Sequence, residues 1–356
     1  MYLDHNATTI PSREVLEAML LTEPLNPSST HGYGRKARSI LETTRSKVSK
    51  LFKVPKTFRV VFTNSATEAN NLILNSFDEV FAGATEHPSI AAGKVTKFLP
   101  VTRAGFLDLS KTSFEPSKLY TIMLANNETG VINPIEKIAK EVREIGSILH
   151  VDAVQGPGKI PINLNELGAD SYSVSSHKLG GPLGIGLLIY NQEKIALKPL
   201  MKGGGQEYGL RPGTENMLAI SGLSKALDLL DSRLNEMPRL EKMRNYLEKS
   251  IKELVPEAIV FGEAASRLPN TLAITMPGVK SEVQVAFFDS HGLAVSAGAA
   301  CSAGRVDKPS VQLAMGYNYE EASASLRISL GPNNKEEEVK FFLEKWQELY
   351  KKTRKS

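Results

Sequence analysis

The residues best suited to chemistry lie between positions 171 and 184, which read S-Y-S-V-S-S-H-K-L-G-G-P-L-G. A short strand is predicted to end at Val174, and Ser175, His177 and Lys178 follow it directly, before a turn rich in glycine and proline. Ligands of open α/β sheets bind outside the carboxyl ends of the strands. Lys178 is therefore placed to form an imine with an aldehyde cofactor, while the hydroxyls and the imidazole hold its phosphate. Taken alone, it is better interpreted as a solvated surface lysine.

A carboxylate follows another predicted strand, in the run H-V-D-A-V-Q at positions 150–155. By itself Asp152 is more simply interpreted as a turn or cap residue. Beside an imine lysine, a carboxylate at the pyridine nitrogen of pyridoxal phosphate keeps the ring protonated and able to accept electrons. Gln155 is then placed to bond the phenolic oxygen of the ring.

Three more strand ends carry polar groups. His87, in T-E-H-P-S, is either a hydrogen-bonded structural histidine or a ring stacked on a cofactor that moves protons near neutral pH. The run N-N-E-T-G at 126–130 follows a predicted strand in the same way. The run T-N-S-A-T-E at 63–68 joins a strand to a helix, which leaves backbone N–H groups free for an anion.

The elements that must position these groups alternate between strand-like and helix-like patterns, which predicts a mostly parallel, doubly wound α/β sheet. Strands are predicted at 59–62, 79–82, 95–101, 119–124, 148–151, 171–174 and 185–190, and helices at 11–21, 36–52, 69–74, 134–145 and 215–254. Shorter elements in the last third predict a smaller second domain. We expect residues 14–236 to form the large domain, and residues 1–13 with 237–356 to form the small α+β domain that carries the only cysteine.

The composition excludes several function classes. The 356 residues are 41% hydrophobic and 23% charged, as in ordinary globular proteins. The net charge of +4 comes from interspersed charges, so no direct binding of nucleic acid is indicated. No apolar run reaches the roughly 20 residues that span a bilayer, and no signal peptide is recognisable, so we expect a cytoplasmic protein without a membrane partner. The single cysteine agrees with a reducing compartment.

Ten ordered motifs cover nearly the whole chain: L-D-H-N-A-T-T, N-P-S-S-T-H-G-Y-G-R, N-S-A-T-E-A-N-N, T-E-H, N-N-E-T-G, V-D-A-V-Q, S-S-H-K-L-G-G-P, G-G-G-Q-E-Y-G-L-R-P-G-T, S-A-G-A-A-C-S-A-G and L-R-I-S-L-G. With these motifs the sequence resembles the cysteine desulfurases of the NifS/IscS type, in the class V group of pyridoxal-phosphate enzymes. The resemblance implies the aspartate-aminotransferase fold (fold type I) and a homodimer.

The resemblance also implies a role for each matching residue. Lys178 forms the imine, Asp152 pairs with the pyridine nitrogen, and Gln155 meets the phenolate. His87 stacks on the ring and acts in catalysis, Asn127 lies beside cofactor and substrate, and Arg327 binds the substrate carboxylate. The phosphate is held by Ala66, Thr67, Ser175 and His177, with Thr214 reaching in from the other subunit.

Cys301 lies in the run A-A-C-S-A-G. An isolated cysteine is most often a small buried hydrophobe. The small neighbours of Cys301 suit a mobile loop better than a core. The resemblance implies that its thiolate attacks the sulfur of the bound cysteine, becomes a persulfide and releases alanine. We expect no resident metal, although Cys301 could transiently ligate an iron–sulfur cluster.

The implied function is a pyridoxal-phosphate-dependent desulfuration of L-cysteine that supplies sulfur for iron–sulfur clusters, and possibly for tRNA thiolation. Three acceptors stay open: an IscU-like scaffold, a SUF-type protein or a tRNA-modifying protein. The sequence ends soon after L-R-I-S-L-G, without the C-terminal extension that IscS-like members use to dock the scaffold, which favours a SUF-type or other acceptor over an IscU-like one. Two alternatives stay open. One is a selenocysteine lyase or class V aminotransferase, and the other is a non-catalytic sulfur-carrier scaffold.

Overall fold

The computed structural model describes residues 1–297 and 310–355. Cys301 and its neighbours from 298 to 309 lie outside the described residues.

A seven-stranded sheet forms the larger body of the protein. Its strands are β1 (Phe58–Thr63), β2 (Val80–Gly83), β3 (Lys97–Leu99), β4 (Leu119–Met123), β5 (Ile148–Asp152), β6 (Ser171–Ser175) and β7 (Gly186–Asn191), in the order β1-β7-β6-β5-β4-β2-β3. All pairs are parallel except those that β7 makes with β1 and β6. The predicted mostly parallel sheet is confirmed, and each predicted strand lies within two residues of the observed bounds.

Apolar side chains cover both faces of this sheet. Val60 and Phe62 of β1 belong to one buried cluster, whereas Val61 between them belongs to another. Because successive strand residues point to opposite faces, this alternation means that helices must pack on both sides. Those helices are α1 (Arg13–Leu20), α2 (Gly32–Leu51), α3 (Ala66–Leu74), α4 (Pro88–Ala91), α5 (Ile135–Glu144), α6 (Leu164–Leu167) and α7 (Met217–Asp228).

The long helix α8 (Leu230–Leu254) connects this body to a smaller one. Leu230 packs into the core of the large sheet, whereas Met237 and the later apolar residues of α8 pack into a separate core. That core covers the sheet β8-β10-β9, which is antiparallel throughout. Its elements are β8 (Thr271–Thr275), α9 (Ser281–Ser290), β9 (Ser296–Ala297), α10 (Ser310–Ala314), α11 (Tyr319–Ser323), β10 (Ser325–Ser329) and α12 (Glu336–Lys355).

The N-terminal segment joins the smaller sheet although it is far from it in sequence. Tyr2 bridges to Ala294 and Asp4 to Ser329, and Leu3 is fully buried in the second core. The next residues then run across the turn that carries Lys178, where the amide of Thr9 donates to the carbonyl of His177 at 2.9 Å. The N-terminal segment therefore contacts both bodies at the site.

Two helices begin earlier than the sequence predicts. α2 starts at Gly32, inside the predicted loop 26–35, because the ring of His31 caps it by accepting from the amide of Gly34 at 3.3 Å. α3 starts at Ala66, three residues before the predicted start, because the Ser65 hydroxyl accepts from the amide of Glu68 at 3.1 Å. In the part of the chain that the structure describes, no helix has the length and apolarity needed to cross a membrane.

Candidate active site

A cavity of about 790 Å³ lies where the carboxyl ends of the parallel strands face the smaller sheet. Ten of the predicted site residues line it: Ala66, Thr67, His87, Asn127, Asp152, Gln155, Ser175, His177, Lys178 and Arg327. Ala297, in the segment that leads to Cys301, also lines it. Thr214 does not line it and is exposed elsewhere on the surface.

Lys178 ends a short 3₁₀ turn, Ser176–Lys178, that directly follows β6. Its Nζ atom donates to the backbone carbonyls of Asn6 and Ala7, both at 2.6 Å. Burial, reinforced by the charge of Arg327, lowers the pKa of Lys178 to about 8. The structure therefore gives this amine a larger neutral, nucleophilic fraction than a solvated lysine has at the same pH.

Asp152 is the last residue of β5 and is 5% exposed. Its Oδ1 atom accepts from the amide of Val154 at 3.0 Å, and its Oδ2 atom accepts from Nδ2 of Asn70 at 2.9 Å. These two contacts hold the carboxylate at the floor of the cavity. The carboxylate can therefore accept a hydrogen bond from a protonated ring nitrogen of a ligand in the cavity.

The N-terminus of α3 forms an anion-binding end of the cavity. Gly186 on β7 approaches it so closely that a Cβ atom there would lie 2.7 Å from the amide nitrogen of Ala66. Ser175, which pairs with Gly186, and His177, in the turn after β6, also line the cavity. Burial lowers the pKa of His177 to about 4, so near neutral pH its ring is an uncharged donor or acceptor. Free helix N–H groups with such side chains suit a phosphate.

Gln155 is held by a buried lysine that the sequence did not single out. The ammonium of Lys159 donates to Oε1 of Gln155 and, at 2.7 Å, to Oδ1 of Asn6. Nε2 of Gln155 donates to the carbonyl of Asn6 at 3.1 Å. The signal available in the sequence was the spacing of Gln155 and Lys159, four residues apart in V-Q-G-P-G-K, and the polar Asn6 in L-D-H-N.

His87 caps the short helix α4. Its Nδ1 atom accepts from the amide of Ser89 at 3.1 Å and lies 2.9 Å from the Ser89 hydroxyl. Burial lowers the pKa of His87, and the charge of Lys178 lowers it further while Asp152 raises it. The ring lines the cavity, as a stacking role requires.

Arg327 lies on β10 and is 2% exposed. Its guanidinium donates through Nη2 to Asp4 at 2.6 Å and to the Ser296 hydroxyl at 3.0 Å, and through Nη1 to the carbonyl of Asn127 at 3.1 Å. The Nε atom is buried without a partner among the described atoms. The Asp4 contact was not predicted, although Asp4 stands in the motif L-D-H-N-A-T-T.

The described segments next to residues 298–309 are anchored close to the site. Before them, Ser296 pairs with Arg327 in the small sheet and lines the cavity. After them, Gln312 on α10 is fully buried and donates to Glu128, next to Asn127, at 3.1 Å. Within residues 1–297 and 310–355, no cluster of three or more His, Cys, Asp or Glu side chains is arranged to hold a metal ion.

Comparison with known proteins identifies the family that the chain resembles. The model of the family described as "Aminotransferase class-V" matches residues 1–342. A protein from Sinorhizobium fredii named cysteine desulfurase is 36% identical over 382 residues, covering 100% of this chain and 98% of that protein. Cysteine desulfurase IscS of Dictyoglomus turgidum is 35% identical over 379 residues, covering 99% of this chain and 95% of that protein. The X-ray structure of a NifS-like protein from Rickettsia africae superposes with a TM-score of 0.91 at 36% identity, covering 99% of each chain.

Proposed function

The chain belongs to the class-V aminotransferase family and, within it, to the pyridoxal-phosphate-dependent cysteine desulfurases, and from this premise we propose how its side chains convert L-cysteine to L-alanine. One observation carries the assignment of the site. A lysine with a lowered pKa, a carboxylate and an arginine line one cavity at the carboxyl ends of the strands. These are the three groups needed to hold an aldehyde cofactor, its ring nitrogen and an amino-acid carboxylate.

The residues present fit pyridoxal phosphate. The α3 N-terminus with Ser175 and His177 suits its phosphate, Asp152 suits its ring nitrogen, and Lys178 would hold its aldehyde. When bound, this cofactor supplies a protonated ring that accepts electrons from the α-carbon of the substrate. Thr214 would complete the phosphate site from a second subunit.

Around the substrate, Arg327 would bind the α-carboxylate through guanidinium hydrogens that Asp4 and the carbonyl of Asn127 do not use. Lys178 would take the proton from the α-carbon, since its lowered pKa leaves it able to act as a base. His87, whose pKa is also lowered, would stand on the face of the ring as a neutral group that passes protons.

Cys301 would accept the sulfur. Its thiolate attacks the substrate sulfur, so that the S–S bond of a persulfide forms while the Cβ–S bond breaks. The electron pair left on the carbon skeleton takes up a proton, and the product is alanine. Ser296 and Ala297, five and four residues before the cysteine, line the cavity, which supports this role for Cys301.

We propose a homodimer from the exposed apolar side chains near α1 and α7. Met19 and Pro182 both lie against Gly222 of α7. Leu20, which follows Met19, is 84% exposed, and Leu183, which follows Pro182, is 70% exposed. Leu21 is 85% exposed. A monomer rarely leaves such a patch uncovered.

The persulfide is proposed to pass to a sulfur-acceptor protein of iron–sulfur cluster assembly in the cytoplasm. Cys301 is proposed to contact a cluster at most transiently.

We also propose that residues 14–236 form the cofactor-binding domain and that residues 1–13 with 237–356 form the domain that carries the cysteine. The two packed cores, which divide α8 between Leu230 and Met237, support this division.

The experiment that tests the function combines a visible spectrum of the purified protein with assays of alanine and sulfide formed from L-cysteine. We expect a cofactor band, and equal amounts of alanine and sulfide under reducing conditions.

Lys178→Ala should keep the fold and lose turnover, and alanine at the parent rate in this variant would remove Lys178 from the mechanism. Faster selenide release from selenocysteine than sulfide release from cysteine would instead favour the lyase. A protein without any cofactor band would favour the sulfur-carrier scaffold.

A further inference from the structure

Asn70 on α3 is fully buried and bonds two residues that line the cavity, Asp152 and Ser89. Its Nδ2 atom donates to Oδ2 of Asp152 at 2.9 Å and to the hydroxyl of Ser89 at 2.9 Å. Its Oδ1 atom lies 3.1 Å from Nε2 of His150. One amide therefore joins Asp152, which would hold the ring nitrogen of the cofactor, to Ser89 in the short helix that His87 caps.

The donor and acceptor roles in this network follow from chemistry. The carboxylate of Asp152 accepts, so the atom of Asn70 that faces it must be the NH₂ group. Oδ1 of Asn70 then faces His150, which must carry its proton on Nε2. Nδ1 of His150 is left to accept from the hydroxyl of Ser171, 2.9 Å away. Complete burial lowers the pKa of His150 to about 3, which agrees with a neutral ring.

The other branch of the network ends at His87. The backbone amide of Ser89 can only donate, so Nδ1 of His87 presents its lone pair and the proton of the neutral ring sits on Nε2. Because Asn70 donates to the Ser89 oxygen, the hydrogen of that hydroxyl is free to point at the same Nδ1 atom. Two donors then fix one tautomer of His87, with its Nε2–H available to the cavity.

We propose that Asn70 is a positioning residue that aims the Asp152 carboxylate at the cofactor nitrogen and, through the Ser89 hydroxyl, holds His87 as the Nε2–H tautomer. This inference rests on the proposed function, because Asp152 and His87 act only if the cofactor binds in the cavity. It assigns to one buried amide the alignment of the groups below and beside the cofactor ring.

The test compares Asn70→Ala and Ser89→Ala with Asn75→Ala, a control at an exposed asparagine that caps the same helix. The first readout is the equilibrium dissociation constant of pyridoxal phosphate. Asn70→Ala should raise it about ten- to a hundredfold, because a charge-assisted hydrogen bond to Asp152 is lost. Ser89→Ala and Asn75→Ala should bind the cofactor within about twofold of the parent, since both keep the Asn70–Asp152 contact.

The second readout is the NMR titration of ¹⁵N-labelled His87 in the apoprotein, assigned with His87→Gln. Loss of a donor to the neutral ring should move the titration midpoint upward in both Asn70→Ala and Ser89→Ala, and not in Asn75→Ala. Asp152 and Lys178 are the charged groups that act on this ring, and all three variants keep them. In turnover, kcat should fall in Asn70→Ala, while the KM for cysteine stays near the parent value because Asn70 does not contact Arg327.

Asn70→Asp provides a second variant of the same size in case Asn70→Ala does not fold. It keeps an acceptor for His150 but places an oxygen opposite Asp152, so its loss of cofactor affinity should equal or exceed that of the alanine variant. Parent-like cofactor affinity in both Asn70 variants, or an equal loss in Ser89→Ala, would overturn the proposal. A parent protein without cofactor affinity would refute the proposed function itself, which separates the two failures.

Discussion

Arg327 and Asp4 form an ion pair with Nη2 and Oδ1 2.6 Å apart, and their side chains are only 3% and 16% exposed. The arginine expected to bind the substrate carboxylate therefore already has a carboxylate partner. A bound substrate would use guanidinium hydrogens that Asp4 leaves free. Asp4 thus fixes the orientation of the guanidinium before cysteine arrives.

Arg327→Ala should raise the KM for cysteine about ten- to a hundredfold, because a charge-assisted contact to a carboxylate is removed. Steady-state kinetics with alanine detection measure it. Because the single variant leaves Asp4 buried without its partner, Arg327→Ala/Asp4→Asn is the control. It should recover thermal stability but not KM. A KM at the parent value in both variants would place the carboxylate site elsewhere.

The rate at which the apoprotein captures pyridoxal phosphate should rise with pH through about 8 and then level off. The neutral amine is the nucleophile, and the pKa of Lys178 is lowered to about 8 by burial and by the charge of Arg327. An ordinary lysine would give a rise centred above pH 10. Stopped-flow absorbance from pH 6.5 to 10 measures the curve.

Arg327→Gln serves as the matched variant for this curve. Removing the positive charge should move the midpoint to higher pH, since that charge favours the neutral amine. A midpoint near pH 10 in the parent protein, or no movement in the variant, would contradict the environment assigned to Lys178.

The sequence predicts the sheet, and it singles out most of the residues that line the cavity, because both follow from local patterns. Strands such as β4 and β7 are short, mostly apolar runs. Asp152 ends β5 and Lys178 lies three residues after β6, and the carboxyl ends of these two strands share one edge. Asp4 and Lys159 could not be predicted, since their roles depend on contacts across the chain. Asp4 reaches Arg327, 323 residues away, and Lys159 acquires its role only where the N-terminal segment brings in Asn6.

Lys159→Met should lower kcat/KM about tenfold with little loss of stability. Nζ of Lys159 donates to Oε1 of Gln155 and so fixes the orientation of the amide. One hydrogen of the Gln155 NH₂ group bonds the carbonyl of Asn6, and the second is left for a ligand oxygen. Burial lowers the pKa of Lys159 well below its usual value, so replacing the amine with an apolar side chain of similar size removes a desolvation cost. Lys137→Met, at an exposed position of α5, is the control for both assays. A large fall in melting temperature with unchanged kinetics would make Lys159 a purely structural residue.

Leu20→Asp and Leu21→Asp together should halve the molar mass in solution, because two charges are placed in the apolar patch proposed to meet the second subunit. Activity should fall with the dimer, since Thr214 would no longer reach the phosphate site. Light scattering and cofactor affinity, measured on the same samples, test both statements. Leu254→Asp, at an exposed leucine that ends α8, should leave the mass unchanged. A parent protein that is already monomeric and active would refute the shared site.

Cys301→Ser tests whether cleavage of the carbon–sulfur bond requires the thiol. Holding the cofactor and removing the α-proton require Lys178, Asp152 and the ring, and none of these depends on the thiol. Cleaving the carbon–sulfur bond requires a nucleophile on sulfur, and a serine hydroxyl is far weaker than a thiolate. The variant should therefore keep the cofactor spectrum and its change on adding cysteine, but form no persulfide and almost no alanine.

Titration of cysteine with visible detection, followed by quantification of alanine and protein-bound sulfane sulfur, separates the two steps. Full desulfuration by the variant would make Cys301 a packing residue, and loss of the spectral change would mean that the cysteine also helps to bind substrate.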